Sequence, residues 1–133
     1  MLDHIVLNVR DVARSIAFYQ AALAPFGIRH YVDHDGRDGH ADLHGFGRDG
    51  RAFFWLRQGV PAPAAVHFGF DAQAPATVDA FHAASLAAGG RDNGGPGPRL
   101  AYDPEYYAAY VLDPDGYNVE AVHKTWQHRS PES

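Results

Sequence analysis

Apolar positions along the chain alternate between two spacings, and the switch between them predicts the elements. Ile5-Val6-Leu7-Asn8-Val9 is a β-branched run bounded by Asp3 and by Arg10-Asp11, and it reads as a buried strand. From Val12 to Leu23 the spacing becomes helical: Val12, Ile16, Tyr19 and Leu23 share a face with Phe18 beside them. Asp11 suits the N-cap of that helix, and Pro25 and Gly27 end it. Three short runs follow, Ile28–Val32, His40–Phe46 and Arg51–Arg57, punctuated by Asp35-Gly36 and Asp49-Gly50, which is hairpin chemistry. The segment from Gly59 to Ala65, with Pro61 and Pro63, reads as a linker. The pattern then restarts, with a strand over Val66–Asp71 and a helix over Pro75–Ala88 closed by Gly89-Gly90. Arg91–Pro98 is a Gly/Pro loop around one short strand. A hairpin of Tyr106–Leu112 and Tyr117–Lys124 is closed by Asp113-Pro114-Asp115-Gly116, and the polar residues beyond predict a frayed tail.

The restart is a repeat. Sliding the chain by 63 positions places His67 on His4, Phe81 on Phe18, Leu86 on Leu23 and Gly90 on Gly27 without a gap. A tandem βαβββ duplication is therefore expected within one domain spanning residues 1–133. Module one covers about 2–58, a linker 59–64, module two 65–124 and a tail 125–133.

Composition narrows the function classes. A chain of 133 residues, 46% apolar, has room for one core. The net charge of −5, with no cluster of Lys or Arg, argues against nucleic acid as a partner. The absence of cysteine removes disulfides, thiolate metal sites and cysteine nucleophiles. Neither a secretory start nor an apolar span of membrane length is visible, so a cytoplasmic protein with no membrane partner is expected.

Asp3-His4-Ile5-Val6-Leu7-Asn8-Val9, followed by Asp11-Val12-Ala13-Arg14-Ser15-Ile16-Ala17-Phe18-Tyr19, resembles the first module of the vicinal-oxygen-chelate superfamily. That superfamily comprises glyoxalases, bleomycin-resistance proteins and extradiol dioxygenases. Asp113-Pro114-Asp115-Gly116-Tyr117-Asn118-Val119-Glu120 is similar to its closing hairpin. The resemblance implies an α+β fold in which two βαβββ modules curl a mixed sheet into a cleft with helices outside. It also implies a homodimer, because such sheets commonly pair, with the cleft closed within one chain or by exchange between two. Carried over residue by residue, the metal ligands are His4, His67 and Glu120. The fourth place falls on Trp55, or on Phe54 if the two Asp-Gly turns are aligned, and neither binds metal. This departs from the four-ligand glyoxalase I pattern and leaves a His-His-Glu set suited to a divalent Fe, Mn, Zn or Ni ion.

Strand alternation supports that set: His4, Val6 and Asn8 share one face, as do His67, Gly69 and Asp71, and Asn118 with Glu120. The three ligand ends are expected to converge within about 5 Å. A hairpin centred on Pro114-Asp115 pairs Ala109 with Glu120, which turns Tyr107 inward as a candidate acid/base beside Glu120. Asn8, His44, Trp55, Arg99 and Tyr102 complete the expected substrate pocket. The remaining histidines and aspartates between His30 and His44 read as a solvated hairpin. Two functions follow: a metal-dependent lyase, isomerase or dioxygenase acting on a small oxygen-rich substrate, or a metal-free small-molecule binder of the bleomycin-resistance type.

Overall fold

In the computed structural model, which describes residues 1–126, each module turns one helix against one sheet. Strand β1 (Ile5–Val9) leads into helix α1 (Val12–Leu23), whose N-cap Asp11 is extended and accepts the Arg14 amide at 3.1 Å. The helix buries Phe18, Tyr19, Ala22 and Leu23. It ends in a single 3₁₀ turn, Ala24–Phe26, closed by Gly27 in the left-handed region at φ 73°, a conformation that favours glycine. Strands β2 (Arg29–His34), β3 (Leu43–Arg48) and β4 (Arg51–Gln58) complete a sheet of order β1-β4-β3-β2, with β1 and β4 parallel. The β3–β4 turn is the two-residue Asp49-Gly50, both at positive φ, as the hairpin chemistry predicts. The β2–β3 connection is longer than Asp35-Gly36 suggested, because the left-handed pair is Asp38-Gly39 and the Asp42 carboxylate accepts the Gly36 amide.

Module two repeats the scheme. It runs β5 (His67–Asp71), α2 (Pro75–Ala87), β6 (Arg91–Asp92), β7 (Gly97–Arg99), β8 (Asp103–Leu112) and β9 (Asn118–His123). Its sheet has the order β5-β9-β8-β6, with β7 also pairing β8 and with β5 and β9 parallel. The α+β architecture of two open mixed sheets with two helices is the one expected. Of the predicted tail, residues 127–133 lie outside those described.

The apolar residues of both modules form one cluster. Tyr19 packs on Phe54 at 4.9 Å between centroids, Phe54 on Phe70 at 5.5 Å, and Phe26 on Phe81 at 5.9 Å. A polar clasp adds to this contact. The β8–β9 loop has five residues, Asp113 to Tyr117, because the Tyr117 amide and carbonyl both bond back to Asp113. From that loop Asp113 accepts the Tyr19 hydroxyl at 2.5 Å, Asp115 pairs with Arg14 at 3.2 Å, and the Tyr117 hydroxyl donates to the Asn8 carbonyl at 2.7 Å. The Asp-Pro-Asp-Gly-Tyr stretch therefore joins the last hairpin of module two to the first strand and helix of module one.

Candidate metal centre

Strands β5 and β9 each place one row of side chains on the helix and the other on an open face. Phe70, Val119 and Ala121 are buried on the helix side, whereas His67 and Glu120 project from the opposite side. His67 Nε2 lies 3.0 Å from Glu120 Oε1, and His67 Nδ1 lies 3.0 Å from the Asn118 carbonyl oxygen. A carbonyl can only accept, so Nδ1 carries the hydrogen. The Nε2 of a neutral ring is then a lone pair aimed at a carboxylate. Two acceptors at this distance need a proton, on either partner, or a metal ion between them. Two atoms bound to one metal at 2.0–2.2 Å and about 90° lie ~3 Å apart, so the pair fits adjacent coordination positions. The Asn118 carbonyl is the second-layer acceptor that fixes the ring.

Glu120 is buried, and its other oxygen, Oε2, accepts the Tyr106 hydroxyl at 2.6 Å. This corrects the expected role of Tyr107. The five-residue loop shifts the hairpin by one, so that Tyr110, not Ala109, lies opposite Glu120. A shift of one residue reverses every side chain. Tyr106 and Tyr110 thus share the open face, and the Tyr107 hydroxyl instead donates to Asp79 on α2 at 2.7 Å. Arg99 sits 5.2 Å from the Tyr110 ring centre and donates to the Gly95 and Gly97 carbonyls, and the exposed Tyr102 packs on Tyr106 at 4.9 Å. Arg99 and Tyr102 therefore pack on Tyr110 and Tyr106, the tyrosines that share the open face with Glu120.

Burial, followed by the bond to Glu120, pushes the Tyr106 hydroxyl well above its ordinary range, and burial and the Glu120 charge raise Tyr110. Both remain neutral donors at physiological pH. Tyr19 and Tyr117 are raised mainly by burial, and Tyr107 mainly by its bond to Asp79. Raised folded-state values mean that this stability is complete below about pH 10 and is lost as pH climbs through the folded values. An ultraviolet phenolate titration should therefore show most of the seven tyrosines ionising late, together with unfolding. Reversible titration of most of them near pH 10 in a folded chain would contradict these environments.

Module one behaves differently. His4 precedes β1, is exposed, and bonds through Nδ1 to Asp3 at 2.7 Å. It does not join His67 and Glu120 within one chain. Among the described residues, the only three donors gathered within 4.8 Å of one another are His30, Asp33 and His44. The modules meet through helix-side residues such as Phe54 and Phe70, and that packing leaves the two polar faces apart. A crevice of about 570 Å³ between the modules is lined by His4, Arg51, Phe53, Phe68 and Asp71, without His67 or Glu120.

The parallel register settles which residue of module one corresponds to Glu120. Val6 faces Trp55 as Gly69 faces Glu120, so Trp55 is the counterpart and Phe54 is buried on the helix side. Trp55 lies across Gly45, where an added Cβ would meet the indole at 2.7 Å. Asn8 is occupied by Arg57, whose Nε donates to Oδ1 at 2.9 Å. His44 is a second correction: it pairs in register with the buried Leu56 and so faces the α1 side, away from Trp55. There Asp33 accepts from His44 Nδ1 at 2.8 Å and from His30 Nε2 at 2.7 Å, and these bonds hold its carboxyl below the ordinary range. Hairpin counting from the sequence turns Tyr106 away from Glu120, and the cluster between His30 and His44 reads there as a solvated hairpin in preference to a second metal site. A loop count that included Tyr117 would have found Tyr106.

Residues 1–121 match the family model of the Glyoxalase/Bleomycin resistance protein/Dioxygenase superfamily. Among solved structures, a glyoxalase/bleomycin resistance protein from Albidiferax ferrireducens T118 is 31% identical, covers 92% of this chain and 97% of its own, and superposes with a TM-score of 0.71. Glyoxalase I from Zea mays is 24% identical over 92% of this chain and 45% of its own, with a TM-score of 0.69. A mutant of the fosfomycin resistance protein FosX from Listeria monocytogenes, solved with Mn(II) and 1S,2S-dihydroxypropylphosphonic acid, is 22% identical with a TM-score of 0.68. It is matched over 94% of this chain and 90% of its own. No curated protein matches the sequence. The last two likenesses concern the fold alone, but the family model and the 31% identical relative each span nearly the whole chain. On that ground the chain belongs to the glyoxalase/bleomycin resistance protein/dioxygenase superfamily.

Proposed function

We propose that this protein is a cytoplasmic, homodimeric, divalent-metal-dependent enzyme, a lyase, isomerase or dioxygenase, acting on a small oxygen-rich substrate. Its metal would be held by His67 and Glu120 of one copy and His4 of the other. The observation that carries this reading is the pair of facing acceptors, His67 Nε2 and Glu120 Oε1 at 3.0 Å, with Nδ1 already committed to the Asn118 carbonyl. One chain supplies only two of the three donors, and His4 stands exposed just before β1 in the other module. A second copy can therefore complete the set. A bound divalent cation, whether Fe, Mn, Zn or Ni, would supply Lewis-acid polarisation of substrate oxygens.

The chain's own residues would do the rest. Tyr106, whose single hydroxyl hydrogen is donated to Glu120 Oε2, holds the carboxylate in place and leaves its oxygen lone pairs to accept from a substrate hydroxyl. Tyr110, backed by Arg99, offers an apolar face with positive charge behind it, suited to an anionic or planar substrate. In module one, Trp55 stands where a fourth ligand would be, and so leaves a coordination place to substrate.

Subunit complementation tests the site. His4→Ala and Glu120→Gln variants should each bind Mn(II) or Zn(II) weakly, and a mixture of the two should regain tight binding in the mixed dimer. Failure of the mixture to regain it, in dimers shown to exchange subunits, would overturn the shared site. The alternative is a metal-free binder. It is favoured by one feature: with a doubly protonated His67, both Glu120 oxygens are already satisfied by His67 and Tyr106. Protein that takes up no metal on reconstitution would establish that reading.

A further inference from the structure

We propose that His30, Asp33 and His44 form a second divalent-metal site, for Zn(II), on the helix-side face of the first sheet and separate from the His67–Glu120 centre. Residues three apart on a regular strand point to opposite faces. In β2 a bulge at Tyr31 shifts the register, so His30 pairs with Phe46, and Asp33 with His44. His44 and Phe46, two apart on β3, share a face, and the bulge brings both His30 and Asp33 onto it. Bulges commonly re-aim side chains in this way near functional sites.

The donors are gathered closely enough for small side-chain shifts to bring them onto one ion. Asp33 Oδ1 lies 2.7 Å from His30 Nε2 and 2.8 Å from His44 Nδ1, and all three ligand atoms lie within 4.8 Å. Ligand atoms on a common tetrahedral Zn(II), bound at about 2.0–2.1 Å, stand about 3.3–3.4 Å apart, so the two hydrogen-bonded spacings would open by roughly half an ångström as the ion replaces the shared hydrogens. The His30 ring packs on Phe46 at 5.3 Å and the His30 amide donates to Gln20 Oε1 at 3.3 Å, so the site is backed by the sheet and by α1. The imidazoles are 21% and 19% exposed and Asp33 is 54% exposed, which leaves the remaining coordination open to water or an exogenous anion. Two imidazoles and a carboxylate with an open position are a borderline donor set that suits Zn(II). His34 is not part of the site, because its ring packs toward Trp55 at 6.0 Å.

The test uses untagged, chelator-stripped protein in which His67→Ala and Glu120→Gln remove the cleft pair. Titrated with Zn(II) against a chromophoric chelator, this variant should still bind about one ion per chain and melt at higher temperature when loaded. Adding His44→Ala should weaken that binding by about a hundredfold. Asp33→Asn, which preserves shape and decides the matter if the alanine variant fails to fold, should weaken it by about tenfold or more. No Zn(II) uptake by the cleft-deleted protein, or uptake indifferent to Asp33→Asn, would overturn the proposal. Failure of the cleft centre itself would appear separately, as wild-type protein that loses all Zn(II) binding when His44 and Asp33 are substituted.

Discussion

Glu120→Gln should lower divalent-metal affinity by about a hundredfold while leaving the fold intact. Apparent zinc affinities of roughly 10–16 kcal/mol in four-ligand sites correspond to about 3 kcal/mol per ligand, which is two powers of ten. Glutamine keeps the volume of the buried side chain and an oxygen to accept the Tyr106 hydroxyl, so the strand has no reason to move. It loses the negative charge that makes His67 Nε2 and Glu120 Oε1 a cation site. Competition with a chromophoric chelator would measure the change, and circular dichroism would confirm the fold. Unchanged affinity would remove Glu120 from the centre. Tyr106→Phe is the graded companion: it deletes only the outer hydrogen bond, and about a tenfold loss is expected.

Asp113→Ala should be among the most destabilising single substitutions in the chain, at about 3–5 kcal/mol. The carboxylate is 2% exposed and accepts three donors: the Tyr19 hydroxyl at 2.5 Å and the Asp115 and Tyr117 amides, each at 2.9 Å. Burial pushes its carboxyl above the ordinary range, and the donors, led by the Tyr19 hydroxyl, offset only part of that rise. Alanine would strand a buried phenol and the amides that shape the loop, each worth roughly 1–3 kcal/mol when left unpaired. For a domain of this size the melting temperature should fall by about 10 °C or more. Tyr19→Phe, which leaves the two amide bonds in place, should cost less than half as much. A drop of only about 2–3 °C for the alanine variant would mean that the clasp between the modules contributes little.

Much of this protein was legible in its sequence. The strand over Ile5–Val9 and the helix over Val12–Leu23 coincide with the predicted bounds, because apolar spacing reports directly which face of a local element is buried. The same alternation placed His67 and Glu120 on open faces, and the repeat narrowed the counterpart of Glu120 to Trp55 or Phe54, between which the parallel register chooses Trp55. What the sequence withheld was every property that turns on a single residue of register or on contact between distant elements. Tyr106 replaces Tyr107 because Tyr117 folds back onto Asp113 and lengthens the hairpin loop to five residues. His30 and Asp33 share a face only because Tyr31 bulges, and His44 joins them because β3 pairs Leu56 on its buried side. His4 stays apart from His67 because the modules dock through Phe54, Phe70, Phe26 and Phe81. Local burial leaves a periodic trace along the chain, but loop closure, bulges and module docking are settled by long-range packing, and only the tertiary structure records its outcome.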